Sequence, residues 1–351
     1  SNNMSFPLAI YVHHFDPIAI HFTESFGIRW YGLAYVAGFL IAYFLLCWFV
    51  KLKVSELKKD QVADFITAVA VVGVMLGGRF GYMLFYNWDA FSRNPAIFFD
   101  FLGGGMSSHG AFAGLILAVW GYAKFTKKSF LGLGDNLVCV APAGVFLGRL
   151  ANFINGELYG RETTFKMGMK FPEELNHVVE SPNGRYLKYS IENFREITAN
   201  AGEILPDLTN KFEAVIAQAQ SAGRFPHAAA AELLINTSRE NSDFRAILAE
   251  YLTVRHPSQI YQALVEGFAI FVLLMAIRLK WRDLYQGVLS GIFFFVYGIG
   301  RILVENYREP DSELIGAMSK GQFYSIFMIG IGVVFLVYAF VTKRRNMLTS
   351  C

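Results

Sequence analysis

Charge is what this chain has least of: 17% of its 351 residues are Asp, Glu, Lys or Arg, while 54% are hydrophobic and 16% aromatic. Mean hydropathy is positive, which excludes an ordinary soluble domain of this length. The formal net charge of +3 is too small for a nucleic-acid-binding surface. Cysteine is scarce as well. Cys47 and Cys139 lie in apolar runs and Cys351 is the last residue, so the sequence predicts neither a disulfide framework nor a metal site. The two embedded cysteines read as small buried hydrophobes. No cleavable signal peptide is expected, because the first long apolar run has full spanning length and no small-residue cleavage site follows it. No internal or inverted repeat is visible, which weighs against a secondary transporter.

What is present is a series of apolar runs of about 20 residues, the length that crosses a bilayer core. They fall near residues 30–50, 62–85, 109–124, 136–153, 260–277, 287–304 and 323–341. The reading is an all-α polytopic membrane protein of about seven spans. Residues 1–29, with Pro7, Asp16, Pro17 and three histidines among aromatics, suit an interfacial arm. Residues 30–160 hold spans one to four. Residues 161–255 are polar, with Pro, Asn and Gly turns and amphipathic stretches such as NKFEAVIAQA and HAAAAELLI, and read as an extramembrane head. Residues 256–351 hold spans five to seven and a basic C-terminus.

Short basic loops set the orientation. Lys51, Lys53, Lys58 and Lys59 follow span one, and Lys124, Lys127 and Lys128 follow span three. Arg278, Lys280 and Arg282 follow span five, and Lys343, Arg344 and Arg345 follow span seven. All fall on one side, which predicts N-out, C-in topology with the head and the loop near Pro310 outside.

Against this apolar background the stretch GRLANFINGELYGR, residues 148–161, stands out. An arginine at the centre of a span costs about 2.5–3.5 kcal/mol on insertion scales, so Arg149 calls for a functional explanation. Asn152 shares its helical face. In span six, Tyr297, Arg301, Glu305 and Arg308 recur at spacings of four, four and three and line one face. Alone, that face reads equally well as a structural Arg–Glu lock between helices. Arg79 and Tyr82 share a face of span two. Measured from span starts near residues 136 and 287, Arg149 and Arg301 both lie ~20 Å along their helices at 1.5 Å per residue. Three guanidiniums are therefore expected to converge near the outer leaflet, with Glu305 as their embedded acidic partner and Glu157 nearer the surface. An excess of positive charge there suits an anionic lipid head group. His109, which opens span three in GGGMSSHG, reads either as a general base or as a hydrogen-bonded helix starter. His256 in RHPSQIYQ carries the same two readings, and Pro257 and Ser258 look like helix-start residues.

Together these blocks resemble the prolipoprotein diacylglyceryl transferase family. GRLANFINGELYGR is similar to that family's signature, close to GRxGNFINxExxG. IRWYGLAY, GGRFGYMLFYN, GGGMSSHG, HPSQIYQ and YGIGRILVENYREPD also resemble its blocks, in order, over nearly all of the membrane part. Ala151, Gln262 and Asn306 depart from the usual pattern, and residues 161–255 are longer than is usual. The resemblance implies transfer of the diacylglyceryl group of phosphatidylglycerol to the lipobox cysteine of a preprolipoprotein, giving a thioether and glycerol 1-phosphate, at the outer face of a bacterial inner membrane. It implies no cofactor, no metal and no nucleic acid.

On that reading His109, Arg149 and Arg301 are the catalytic candidates: His109 takes the thiol proton and the arginines neutralise the leaving phosphate. Tyr31, Arg79, Asn152, Asn155, Glu157, Gly160, Tyr297, Glu305 and Arg308 are the candidates for binding substrate or holding the arginines. Two other classes remain compatible with the residues alone, an anionic-lipid transporter and a non-catalytic lipid-binding membrane protein.

Overall fold

The computed structural model describes residues 10–23, 27–100, 105–181, 184–309 and 318–345. The loop near Pro310 and Cys351 lie outside them. Strands β1 (Ile18–His21) and β2 (Gly27–Arg29) form an antiparallel pair within the expected arm. There follow α1 (Trp30–Lys51), α2 (Gln61–Tyr86), α3 (Ser108–Thr126) and α4 (Phe130–Ile154). A second antiparallel pair, β3 (Val178–Ser181) and β4 (Gly184–Leu187), precedes α5 (Ile191–Asn200), α6 (Leu208–Ser221), α7 (Pro226–Glu240) and α8 (Ser242–Tyr251). The chain closes with α9 (Ser258–Lys280), α10 (Val288–Glu305) and α11 (Lys320–Thr342).

Six of these helices, α1, α2, α4, α9, α10 and α11, are long and apolar enough to cross a membrane, and Gly110–Thr126 of α3 is a shorter apolar helix. The chain is therefore a mostly helical, multi-pass membrane protein. The fourth expected run starts earlier than its composition suggests, at Phe130. Ser129 Oγ accepts the Gly132 N–H at 3.2 Å and so caps a turn whose glycines look like loop.

Two compact units divide the chain. One comprises Gly32–Gly148, Gln262–Leu303 and Ser312–Cys351. Its core gathers Leu46, Phe49, Leu57, Phe65, Leu133, Cys139, Leu274 and Leu289, all shielded from solvent. Large apolar side chains such as Phe44, Leu117, Val334 and Val341 face outward, as lipid-facing surfaces do. Without water to drive helices together, close packing of small residues holds the spans. A Cβ on Gly77 of α2 would lie 2.7 Å from the Gly110 carbonyl and 2.8 Å from Gly114 Cα, both on α3. A Cβ on Gly267 of α9 would lie 2.6 Å from Phe146 Cα on α4. Two helices carry π-helical stretches, Ala68–Leu76 in α2 and Ala263–Ala269 in α9. Such bulges re-aim the side chains around them and are frequent at functional sites.

The other unit comprises Ser1–Tyr31, Arg149–Tyr261 and Val304–Asp311. Its core is built by the amphipathic faces of α5 to α8 through Phe194, Ile197, Phe212, Ile216, Leu234, Phe244 and Leu248. Caps mark where those helices start. Ser190 and Asn193 form a capping box before α5, and the Asn241 side chain accepts the Asp243 and Phe244 N–H groups before α8. Backbone hydrogen bonds stitch distant segments of this unit together. The Gly160 N–H donates to the His256 carbonyl at 2.8 Å, Arg161 N–H to the Tyr307 carbonyl at 3.0 Å, and Arg255 N–H to the Met169 carbonyl at 2.8 Å.

Candidate functional site

The stretch at residues 148–161 begins as the last turn of α4 and leaves it through two left-handed residues, Gly156 (φ 68°) and Leu158 (φ 56°). Glu157 is the pivot of the turn. Asn152, itself buried, donates from Nδ2 to Glu157 Oε1 at 2.7 Å, and Asn155 Nδ2 reaches the same oxygen at 3.4 Å. Gln259 Nε2 donates to the Glu157 carbonyl at 2.7 Å, and Ser258 Oγ to the Leu158 carbonyl at 2.9 Å. The two asparagines thus hold the glutamate, and the start of α9 holds the loop. Gly160 lies where another backbone crosses, since a Cβ there would lie 2.7 Å from the His256 carbonyl oxygen. It also forms a backbone bridge with Arg308.

Arg308 sits 3.8 Å from Glu305, which is buried at the end of α10, and the Arg308 carbonyl accepts from Arg161 Nε at 2.9 Å. Arg149 is half-buried in α4, and Tyr31 is half-buried in the first turn of α1.

One residue, which no local pattern in the sequence marks, ties this unit together. Arg255 is 2% exposed. It donates to Glu174 from Nε at 2.8 Å, to Glu309 from Nη1 at 3.1 Å and to the Gly160 carbonyl at 3.2 Å, with its guanidinium over the Tyr159 ring at 4.9 Å. Glu174 is fully buried and also receives Lys188 Nζ at 2.7 Å, the Thr253 N–H at 3.1 Å and the Thr253 hydroxyl. Burial alone raises a carboxyl's pKa. Here the hydrogen bonds from Lys188 and Thr253 and the charge of Arg255 outweigh it and hold Glu174 below the ordinary range.

His256 is pushed down by burial. Its Nδ1 lies 3.2 Å from the Tyr261 hydroxyl and its ring packs edge-on to Tyr307 at 5.2 Å. These contacts fit the packing reading of His256.

In the membrane-helix unit, Arg301 of α10 is 13% exposed and donates from Nη1 to Glu266 Oε1 at 3.2 Å. Glu266 is fully buried in the π-helical stretch of α9, and the Tyr297 hydroxyl donates to its other oxygen at 3.5 Å. Glu266 is thus an embedded acidic partner beside the expected Glu305. The available signal was a lone glutamate in the apolar run QALVEGFAIF.

Arg79, read as one of three converging guanidiniums, directs donors to backbone carbonyls. It is 3% exposed, and its donors reach the backbone carbonyls of Ile97 (2.6 Å), Asp100 (2.7 Å), Phe98 (3.0 Å) and Gly105 (3.1 Å). It gathers the backbone of Ile97, Phe98 and Asp100 with that of Gly105, three residues before α3. The Ser107 N–H donates to the Gly78 carbonyl at 2.8 Å, and the Ser107 side chain accepts the Gly110 N–H at 3.2 Å. These bonds position the start of α3, where the backbone of His109 sits in the first turn. The His109 side chain lies outside the described residues.

A multi-pass helical membrane protein that embeds arginines, glutamates and asparagines in otherwise apolar spans is a protein built to act on polar groups at bilayer depth. The particular family follows from comparison with known proteins. The family model described as prolipoprotein diacylglyceryl transferase matches residues 17–338, and the chain belongs to that family. Among its relatives is the phosphatidylglycerol–prolipoprotein diacylglyceryl transferase of Bdellovibrio bacteriovorus, 34% identical over 339 residues, which are 93% of each chain. The enzyme of that name from Idiomarina loihiensis is 33% identical over 330 residues, 92% of this chain and 93% of the relative. The one from Escherichia coli O1:K1 is 33% identical over 338 residues, 94% and 96%.

Proposed function

We propose that this chain transfers the diacylglyceryl group of phosphatidylglycerol to the lipobox cysteine of a preprolipoprotein. The observation that carries the reading is family membership over nearly the whole chain, with relatives of that name at 33–34% identity along more than nine-tenths of their length. The embedded polar groups suit the chemistry. The substrate thiol loses its proton, its sulfur attacks the glycerol carbon that carries the phosphate ester, and the C–O bond breaks. The products are a thioether and glycerol 1-phosphate. Negative charge grows on the leaving phosphate, and Arg149 and Arg301 neutralise it.

Glu266 fixes the guanidinium of Arg301, and Tyr297 fixes Glu266. Asn152 and Asn155 act through Glu157, holding the turn after Arg149. Arg79 acts as a positioning residue for the loop before α3, and His109 at the start of that helix takes the thiol proton. Tyr31, Gly160, Glu305 and Arg308 are the remaining candidates for binding substrate or holding the arginines.

In this proposal the protein lies in a bacterial inner membrane with seven spans, its basic loops cytoplasmic and residues 161–255 as a periplasmic head. The one-sided placement of Lys and Arg in the short loops supports that orientation. The test is incubation of the purified chain with phosphatidylglycerol and a synthetic lipobox peptide, followed by the mass of the peptide. A gain of one diacylglyceryl group is expected, and an unmodified peptide beside intact, lipid-bound protein overturns the reading.

A further inference from the structure

The membrane-helix unit holds a second polar feature, at the end where its lysines and arginines gather. An open groove of about 870 Å³ runs between the α3–α4 loop and the end of α11. Its rim carries Lys127, Lys128, Arg344 and Arg345, and one wall is apolar, built by Leu131 with Val334, Phe335 and Tyr338 of α11. Val334 and Tyr338 are strongly exposed, at 63% and 42%. The floor is a buried hydrogen-bonded lattice. Glu56 accepts the Ser129 N–H at 3.0 Å and Gln286 Nε2 at 2.6 Å, and Ser129 Oγ donates to Gln286 Oε1 at 2.5 Å. Gln286 also binds the carbonyls of the segment after α11, its N–H donating to Arg344 at 2.8 Å and its Nε2 to Arg345 at 3.1 Å.

Charge decides what such a groove accepts. Glu56 is the lone carboxylate in the lining, is 4% exposed, and has both oxygens engaged by the floor. Asp283 pairs with Arg345, and Lys128 Nζ donates to the Glu56 carbonyl. Lys127 and Arg344 are exposed on the rim, and among the described residues neither has a carboxylate at ion-pair distance. Depth decides the rest. The helix α3 ends at Thr126 and α11 at Thr342, so the rim residues follow immediately where two apolar helices leave the bilayer core. A ligand here meets cations at head-group level and an apolar wall below it.

We propose that this groove binds an anionic phospholipid, with the phosphate at Lys127 and Arg344 and an acyl chain along Val334 and Tyr338. Basic pockets beside membrane helices take such head groups, and the attraction is electrostatic. The site is separate from the arginine of the proposed reaction, since Arg301 lies ~20 Å further along α10 than Val288, next to the floor residue Gln286. It stands whether or not the chain transfers diacylglyceryl groups.

The test is native mass spectrometry of the delipidated full chain titrated with dioleoyl phosphatidate, which carries the charge but is not the proposed donor. Wild type is expected to retain phosphatidate in preference to dioleoyl phosphatidylcholine. The double variant Lys127→Gln with Arg344→Gln, both at exposed positions, is expected to bind one phosphatidate fewer or about tenfold more weakly. Parallel titration with inorganic phosphate separates a lipid site from a free-anion site. Equal retention of phosphatidylcholine, unchanged phosphatidate binding by the double variant, or displacement of the lipid by inorganic phosphate each overturns the proposal.

Discussion

Glu266 on α9 and Arg301 on α10 form an ion pair with Nη1 3.2 Å from Oε1, and the glutamate has no exposure to solvent. Neutralising the carboxylate removes the charged partner that holds the Arg301 Nη1 in place. The helices are held independently by glycine contacts, with Gly267 against Phe146 and Gly298 against Ile329. A Glu266→Gln variant is therefore expected to insert normally but to transfer lipid about 100-fold more slowly, because a preorganised cation has lost its anchor. Turnover of a lipobox peptide at saturating phosphatidylglycerol measures this, and near-normal turnover would return Glu266 to a purely structural role.

The Arg255–Glu174 pair predicts acid sensitivity. Glu174 is held below its ordinary value by Lys188, Thr253 and Arg255 against the opposing effect of burial. A carboxyl lowered in the folded state contributes stability that is complete above its unfolded value and is lost as pH falls toward the folded one. Thermal unfolding of the purified chain is expected to shift to lower temperature as pH drops below the ordinary glutamate range. In Glu174→Gln that acid-dependent part of the shift is expected to shrink. An identical pH dependence in both proteins would contradict this role.

His109 opens α3, whose start is positioned by Ser107 and by the loop that Arg79 holds. A general base at this position would contribute about 10²–10⁴-fold to the rate. His109→Gln is expected to lose that factor together with the acid limb of the pH–rate profile. A slower enzyme with an unchanged profile assigns His109 to a structural role at the helix start instead.

Cys139 is fully buried and Cys47 half-buried. The attacking sulfur belongs to the substrate peptide, so the variant with Cys47, Cys139 and Cys351 all changed to Ser is expected to retain transfer, read by the same peptide mass gain. Loss of transfer in a folded triple variant would require an enzyme thiol in the reaction.

What could be read from residues alone follows the range of the forces involved. Arg149, Asn152 and Arg301 stood out because insertion cost is local, and a charge in an apolar run is visible without a partner. Amphipathic periodicity likewise exposed the helical stretches near residues 210–219 and 227–235. Glu266 carried the same local signal, a lone glutamate in QALVEGFAIF, but its pairing with Arg301, 35 positions away, was not legible, because no spacing rule links helices across such a distance. Arg79 was legible as an embedded arginine but not as a loop anchor, because its partners are backbone carbonyls that every sequence has. Glu174 and Arg255 looked like ordinary charges of a polar segment until folding brought them together across 81 positions. The third apolar run ends at Thr126, where Lys127 takes a left-handed conformation (φ 54°) that the sequence does not announce with a glycine.

If embedded arginines stabilise a departing lipid phosphate, single-turnover transfer by Arg149→Ala and Arg301→Ala reads their contribution. The readout is the mass of a lipobox peptide, with phosphatidylglycerol binding followed in parallel. Each variant is expected to slow transfer by at least about 10²–10³-fold while the protein still inserts. Near-wild-type turnover in both variants would show that neither arginine stabilises the departing phosphate.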